Sequence, residues 1–222
     1  MHRFSTSLAA IALLASSGYA AAADSMAPSS APVPAGAYTL DKSHASLLFR
    51  VNHLSFSMFT ARFTRFDSQL QFNPENPAAS SVKVTIDPRS ISSDNAPVGF
   101  MDSLAGDMWL DAAKYPEITF RSKKVERTGP KSLRIEGDFT LHGVTKPLTL
   151  TATYNGGYAG HPMDPHARIG FSAKGSLKRS DYGVAYGIPA PGTTMGVSDR
   201  VDIIIETEFT GPPLAGAPAA KH

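Results

Sequence analysis

Apolar residues recur at every second position through most of this chain, and that rhythm suits strands with one buried face. Leu47, Phe49 and Val51 share one face of a first strand. Val82, Val84 and Ile86 share one in a third, with Lys83, Thr85 and Asp87 opposite. Ile118 and Phe120 mark a fourth strand, and Leu133, Ile135, Gly137, Phe139 and Leu141 a fifth. Leu148, Leu150, Ala152 and Tyr154 give the sixth; Ile169, Phe171, Ala173, Gly175 and Leu177 the seventh. Val201, Ile203, Ile205 and Phe209 close the series. The second strand, 57–72, changes phase midway: Phe59, Ala61 and Phe63 are apolar at odd positions, Phe66, Leu70 and Phe72 at even ones. One extra residue restores a single buried face, so a bulge or sharp bend is expected at 64–66.

Strands with one apolar face each must stack as a sandwich or close as a barrel, and alternation alone leaves both open. The single helical stretch is 97–106, where Pro97 suits a first turn. A second short turn spans 111–114. The inward phase also carries small residues: Gly137, Ala152, Ala173 and Gly175, with Ser122 and Thr207. Two readings follow. Either they leave a cavity for a hydrophobic ligand, as eight-stranded barrels can, or they make room for the rings of Phe49, Phe63, Phe66, Phe120, Phe139 and Phe171.

The chain ends differ in composition. Residues 1–23 read as a cleavable export leader: Arg3, an apolar run from Leu8 to Ala15 too short to span a bilayer, then small residues at 20–23. Residues 24–36 and 211–222 are rich in Ala, Pro and Gly or Ser, and read as disordered flanks of a domain at 37–210. The formal charge of the whole chain is +2. So small a charge gives no footprint for nucleic acid, which needs clustered Lys and Arg. The one basic run, Arg121, Lys123, Lys124, Arg127 and Lys131, reads as a solvated strand edge. With no cysteine, the chain has no disulfide framework and no thiol chemistry.

Residues that carry chemistry are sparse. His44, His53 and His142 fall near strand ends, where an imidazole either meets a ligand head group or ties a loop. His161, Asp164 and His166 share one loop, but their spacing fits no standard metal site. Ser80 and Lys83 fit Ser-x-x-Lys only by spacing, since Lys83 lies on the polar side of a strand. Asp41 and His44 form a potential acid–base pair without an evident nucleophile, and no nucleotide or protease motif is present. The Gly- and Pro-rich stretch 183–199 is long enough to cover one end of a barrel.

Several stretches together resemble the YceI-like family. They begin with Tyr38-Thr-Leu-Asp-Lys-Ser-His44, then Phe49, Val51, His53 and Leu54, and the paired-Phe strand Phe63 to Phe72. Pro88-Arg-Ser-Ile-Ser-Ser93, Trp109-Leu-Asp111, Tyr115-Pro116, Phe120 and Ser122 follow in order. Leu141-His-Gly-Val-Thr-Lys-Pro147 is the most specific piece, and Arg179-Ser-Asp-Tyr-Gly183 precedes the last strand. The resemblance covers 38–209. It implies an all-β, extended eight-stranded antiparallel lipocalin-like barrel in the periplasm, with a tunnel for a polyisoprenoid such as a quinone tail. In the family, Arg-Asp followed by His-Leu precedes a Phe-rich turn. Here 100–107 keeps Asp102 and Leu104 but lacks the basic residue and the histidine, which puts the head group in question.

The expectation is therefore a carrier or sequestering protein, not an enzyme, with no cofactor or metal beyond a bound isoprenoid lipid. Phe49, Phe63, Phe66, Phe120, Phe139 and Phe171 are expected to line the tunnel. His44, His53, His142 and Asp102 are expected at its polar end. Expected partners are the amphiphilic lipid, a transient membrane or membrane-protein contact, and a second copy in a homodimer. The competing expectations are a stress-response interaction protein with a filled barrel, and a lipid hydrolase using Asp41 and His44.

Overall fold

The computed structural model describes residues 32–214, so the leader, most of the flank at 24–36 and residues 215–222 lie outside it. In chain order the strands are β1 (Gly36–His53), β2 (Ser57–Phe63), β3 (Phe66–Phe72), β4 (Ser81–Ile86) and β5 (Ile91–Ser92). One helix, α1 (Phe100–Ala105), separates these from β6 (Ile118–Arg127), β7 (Ser132–Leu141), β8 (Val144–Tyr158), β9 (His166–Lys178) and β10 (Val197–Pro213).

All pairings are antiparallel, and β10 pairs back onto β1, from Thr39 opposite Thr210 to His53 opposite Val197. That contact closes the sheet into a barrel and removes the sandwich alternative. Counting β2 and β3 as one bent strand gives an eight-stranded barrel, with the two-residue β5 clipped to the edge of β2. β10 runs three residues into the stretch expected as a tail, because the Leu214 amide donates to the Pro165 carbonyl at 2.7 Å.

The expected bend is present at Thr64–Arg65, and a buried serine satisfies its backbone. The Ser90 carbonyl accepts from the Thr64 amide at 3.1 Å, and the Ser90 hydroxyl accepts from the Arg65 amide at 3.0 Å. Ser90 sits in a tight turn, Pro88–Ser90, whose start is capped by the Asp87 carboxylate accepting from the Arg89 amide. Across the bend the buried phase changes, from Ala61 on the odd side to Ser68 and Phe72 on the even side. A second irregularity lies in β1, where the register against β10 shifts between Asp41 and Ser46. Residues 36–39 of β1 pair with β3 and residues 47–53 with β2.

Helix α1 is shorter than expected. Gly99, in a left-handed conformation, starts it, so Pro97 lies outside. The expected second turn forms, with the Asp111 carbonyl accepting from the amides of Lys114 and Tyr115.

Three buried clusters line the interior. The largest joins Leu47, Ile86, Phe120, Phe139 and Leu148. A second, Tyr38, Phe72, Ile169 and Phe209, closes the end where the described chain begins and ends. The third, Ala61, Ile91 and Leu104, seats α1 on β2. The end bearing α1 and the β9–β10 loop is called upper below, and the opposite end lower.

Candidate functional site: a divided barrel interior

Two cavities occupy the barrel. The upper has a volume of about 420 Å3 and the lower about 350 Å3, both within the range of small-molecule sites. They share Leu47, Val84, Phe120, Leu150 and Ile205, which form a waist between them. A filled barrel is therefore not what this sequence makes.

The small inward residues divide between the two readings that the sequence left open. At Gly137 a Cβ would meet the Arg121 carbonyl oxygen at 2.4 Å and the Phe120 ring at 2.6 Å, so this glycine admits a ring. Gly175 likewise admits Leu150, which a Cβ would approach to 2.7 Å. Ala152, Ala173 and Thr207 instead line the lower cavity, where their small size leaves open space.

All six expected phenylalanines line a cavity. Phe49, Phe63 and Phe139 face the upper one, Phe66 and Phe171 the lower, and Phe120 both. Of the expected polar residues, His53 alone joins them, at the exposed rim of the upper cavity.

His44, His142 and Asp102 lie outside both cavities, each for a local reason. His44 sits on the irregular stretch of β1 and faces solvent, with its Nδ1 3.1 Å from Asp41 Oδ2. His142 occupies the first central position of the two-residue β7–β8 hairpin turn, with φ of 52° at His142 and 74° at Gly143. Such turns need positive φ at both central residues. The His142 ring packs on Tyr115, with centroids 4.5 Å apart. Asp102 projects to solvent from the first turn of α1.

The Asp41–His44 pair also lies outside the cavities. Its carboxyl is held below the usual range first by the His44 hydrogen bond, then by the Ser43 amide and Arg168, against the opposing effect of burial. Among the described residues, Asp41, His44 and Glu208 form the one grouping close enough to share a metal ion, but Arg168 already pairs with Asp41. His166 Nδ1 comes within 3.7 Å of Asp164 Oδ1, but His161, Asp164 and His166 do not converge on one metal position. Asp164 accepts from Tyr158 at 3.1 Å and from Arg168 at 2.7 Å, while the His161 ring accepts from the Met163 amide.

Sequence reasoning missed the residues that finish the upper cavity. Ile91, Leu104, Trp109 and Leu110 reach it from the β4–β6 connection, which lacks the strand rhythm that guided the reading. Arg179 is also in its wall, 4% exposed and without a carboxylate partner among the described residues. Its guanidinium donates to the carbonyls of Ser198, Val184, Tyr186 and Val197 and lies 5.2 Å from the Trp109 ring. It thereby ties the β9–β10 loop to the barrel, and burial lowers its pKa. That loop packs over the upper end through Val184 and through Tyr186, 5.3 Å from Trp109. At the lower end, Arg127 and Lys131 are not only strand-edge solvation, because both stand at the lower cavity's rim.

The two ends also differ outside. Among the described residues, the exposed large apolar side chains, Met163 apart, all belong to the upper end. They include Phe56 at 83% exposure, Val98, Phe100, Met108, Tyr186 and Met195. Phe56 follows a hairpin tip strained by positive φ at Leu54 and Ser55.

The sequence pattern of the YceI-like domain matches residues 38–209. Protein YceI of Escherichia coli O157:H7 is 38% identical over 176 residues, covering 77% of this chain and 85% of that protein. The crystal structure of Burkholderia cenocepacia BcnA superposes with a TM-score of 0.65 at 25% identity, over 76% of this chain and 98% of BcnA. A polyisoprenoid binding domain from Saccharophagus degradans has the same fold, with a TM-score of 0.57 at 14% identity over 79% of this chain and 98% of that domain. With the domain pattern spanning nearly the whole barrel, this chain belongs to the YceI-like family.

Proposed function

We propose that this protein is a periplasmic carrier or sequestering barrel for a long-chain isoprenoid, of quinone or polyprenyl type, or a similar amphiphilic lipid. No bond is made or broken. The observation that carries this reading is the pair of apolar cavities meeting at one waist, a shape suited to a long narrow hydrocarbon. Each buried methylene contributes about 0.8 kcal/mol, so affinity comes from chain length rather than from any single contact. The polyisoprenoid binding domain of the same fold supports the ligand class. The leader-like residues 1–23 support export.

Delivery takes place at the upper end. Apolar side chains exposed around that end favour contact with a bilayer interface, where the cargo itself resides. The test is mass spectrometry of an organic extract from protein exported by its own leader and purified without detergent. An isoprenoid lipid at one per barrel is expected. Protein that stays empty after incubation with isoprenoid-loaded vesicles overturns the reading.

A further inference from the structure

Three connections surround the mouth of the upper cavity, and each supplies both a wall residue and an exposed apolar side chain. The β1–β2 hairpin lines the cavity with His53 and Ser57 and exposes Phe56. The β5–β6 connection, which carries α1, lines it with Leu104 and Trp109 and exposes Val98 and Met108. The β9–β10 loop lines it with Val184 and exposes Tyr186 and Met195. The three are joined. The Leu54 amide donates to the Gly196 carbonyl at 2.9 Å, the Trp109 and Tyr186 rings are 5.3 Å apart, and the Phe100 ring is 6.0 Å from Phe59 of β2. The exposed side chains thus form a collar around one opening rather than scattered singles, and such a patch marks a contact surface.

The charge of the collar is one-sided. From Asp94 to Asp111 the connection holds aspartates at 94, 102, 107 and 111 and no Lys or Arg. Asp94 pairs with Arg62 at 2.9 Å, whereas Asp102, Asp107 and Asp111 have no cationic partner among the described residues. Lys114, the next cation along, lies over the Tyr115 ring beside Asp87 and Glu117. Arg65 and Arg89 on a neighbouring turn pair with Asp87. The loop 183–196 has no Asp, Glu, Lys, Arg or His, and the hairpin tip 52–57 has only His53. An apolar collar edged by carboxylates fits a membrane surface without net negative charge. Its apolar side chains enter the interface, and the carboxylates meet the outward ammonium groups of zwitterionic lipids. An anionic surface, at about −30 mV, repels the same carboxylates and weakens binding about 3-fold for each.

We infer that the collar docks on bilayers of zwitterionic lipid, and that Asp102, Asp107 and Asp111 turn it away from anionic ones. Cargo is then exchanged where a neutral membrane meets the mouth of the upper cavity. This assignment rests on the carrier reading and gives its delivery end a membrane of stated chemistry.

The experiment measures co-sedimentation of the protein, exported by its own leader, with vesicles of phosphatidylcholine alone or mixed with phosphatidylglycerol. Wild type is expected to bind the mixed vesicles about 10- to 30-fold more weakly than the neutral ones at low salt, with the gap closing as salt screens the surface. Asp102→Asn combined with Asp107→Asn, both at exposed positions, is expected to narrow the gap to about 3-fold without changing the melting temperature. Val98→Ser combined with Met195→Ser is expected to weaken binding to both kinds of vesicle. Equal or stronger binding to the anionic vesicles overturns the assignment, as does a gap that survives the aspartate substitutions or binding that survives the loss of Val98 and Met195. Binding to neither vesicle overturns it too, and leaves the collar to a basic protein partner. Isoprenoid uptake is read from the same vesicles: docking without uptake overturns the carrier reading and not the docking surface.

Discussion

The upper and lower halves of the barrel are built from the same alternating strands, yet they enclose different interiors. The upper cavity is walled by aliphatic side chains and phenylalanine, and its polar residues, His53, Ser57 and Arg179, are few. The lower contains hydroxyls, a ring cluster and two cations at its rim. Outside, the upper end exposes large apolar side chains and the lower end Met163. The barrel thus has a direction, with large apolar side chains exposed at one end and two cations at the cavity rim of the other.

The waist between the halves gives the largest expected effect. Phe120 is 4% exposed, faces both cavities and fills the space over Gly137. Phe120→Ala is expected to merge the cavities and cost about 3–5 kcal/mol in urea unfolding. A loss below about 1 kcal/mol would show that the waist carries little of the fold.

The two kinds of small inward residue sharpen the comparison next. Gly137→Ala must displace Phe120 and the β6 backbone, at an expected cost of about 2–3 kcal/mol. Ala152→Phe enters the open lower cavity and is expected to cost less, about 1–2 kcal/mol. Equal costs would mean that the lower cavity closes in solution.

Asp87 sets the third effect. Hydrogen bonds first from Arg89, then from Arg65, hold its carboxyl at about 2 against the opposing effect of burial. A depressed carboxyl stabilises the fold above the unfolded value of about 3.9, and that stabilisation disappears as pH falls toward 2. Because both arginines are largely exposed, Asp87→Asn is expected to cost only about 1 kcal/mol at neutral pH. Wild type and variant should converge in thermal melts near pH 2. A gap that persists there would assign the cost to lost cap geometry instead.

The smallest effect on stability comes from the exposed tip. Phe56→Ser is expected to leave unfolding within about 0.5 kcal/mol while lowering co-sedimentation with zwitterionic vesicles. Met163→Ser at the opposite end should change neither. Equal losses from both would remove the distinction between the ends.

The strands, the bend at Thr64–Arg65 and the inward-facing phenylalanines were legible because period-2 alternation reports directly which side chains face inward. Leu104, Trp109 and Arg179 were harder to place. They come from connections whose path depends on packing against the finished barrel. The histidines misled for a related reason: His44 and His142 are near strand ends in sequence, but an irregular register and a hairpin turn direct them elsewhere.

Affinity measured against prenyl chain length tests the divided tunnel most directly, in wild type and in Ala152→Phe. If one chain occupies both halves, wild-type affinity rises with each added isoprene unit until both are filled. Blocking the lower cavity should then move the plateau to a shorter chain. An unmoved plateau, or affinity independent of length, would contradict a ligand that spans the waist.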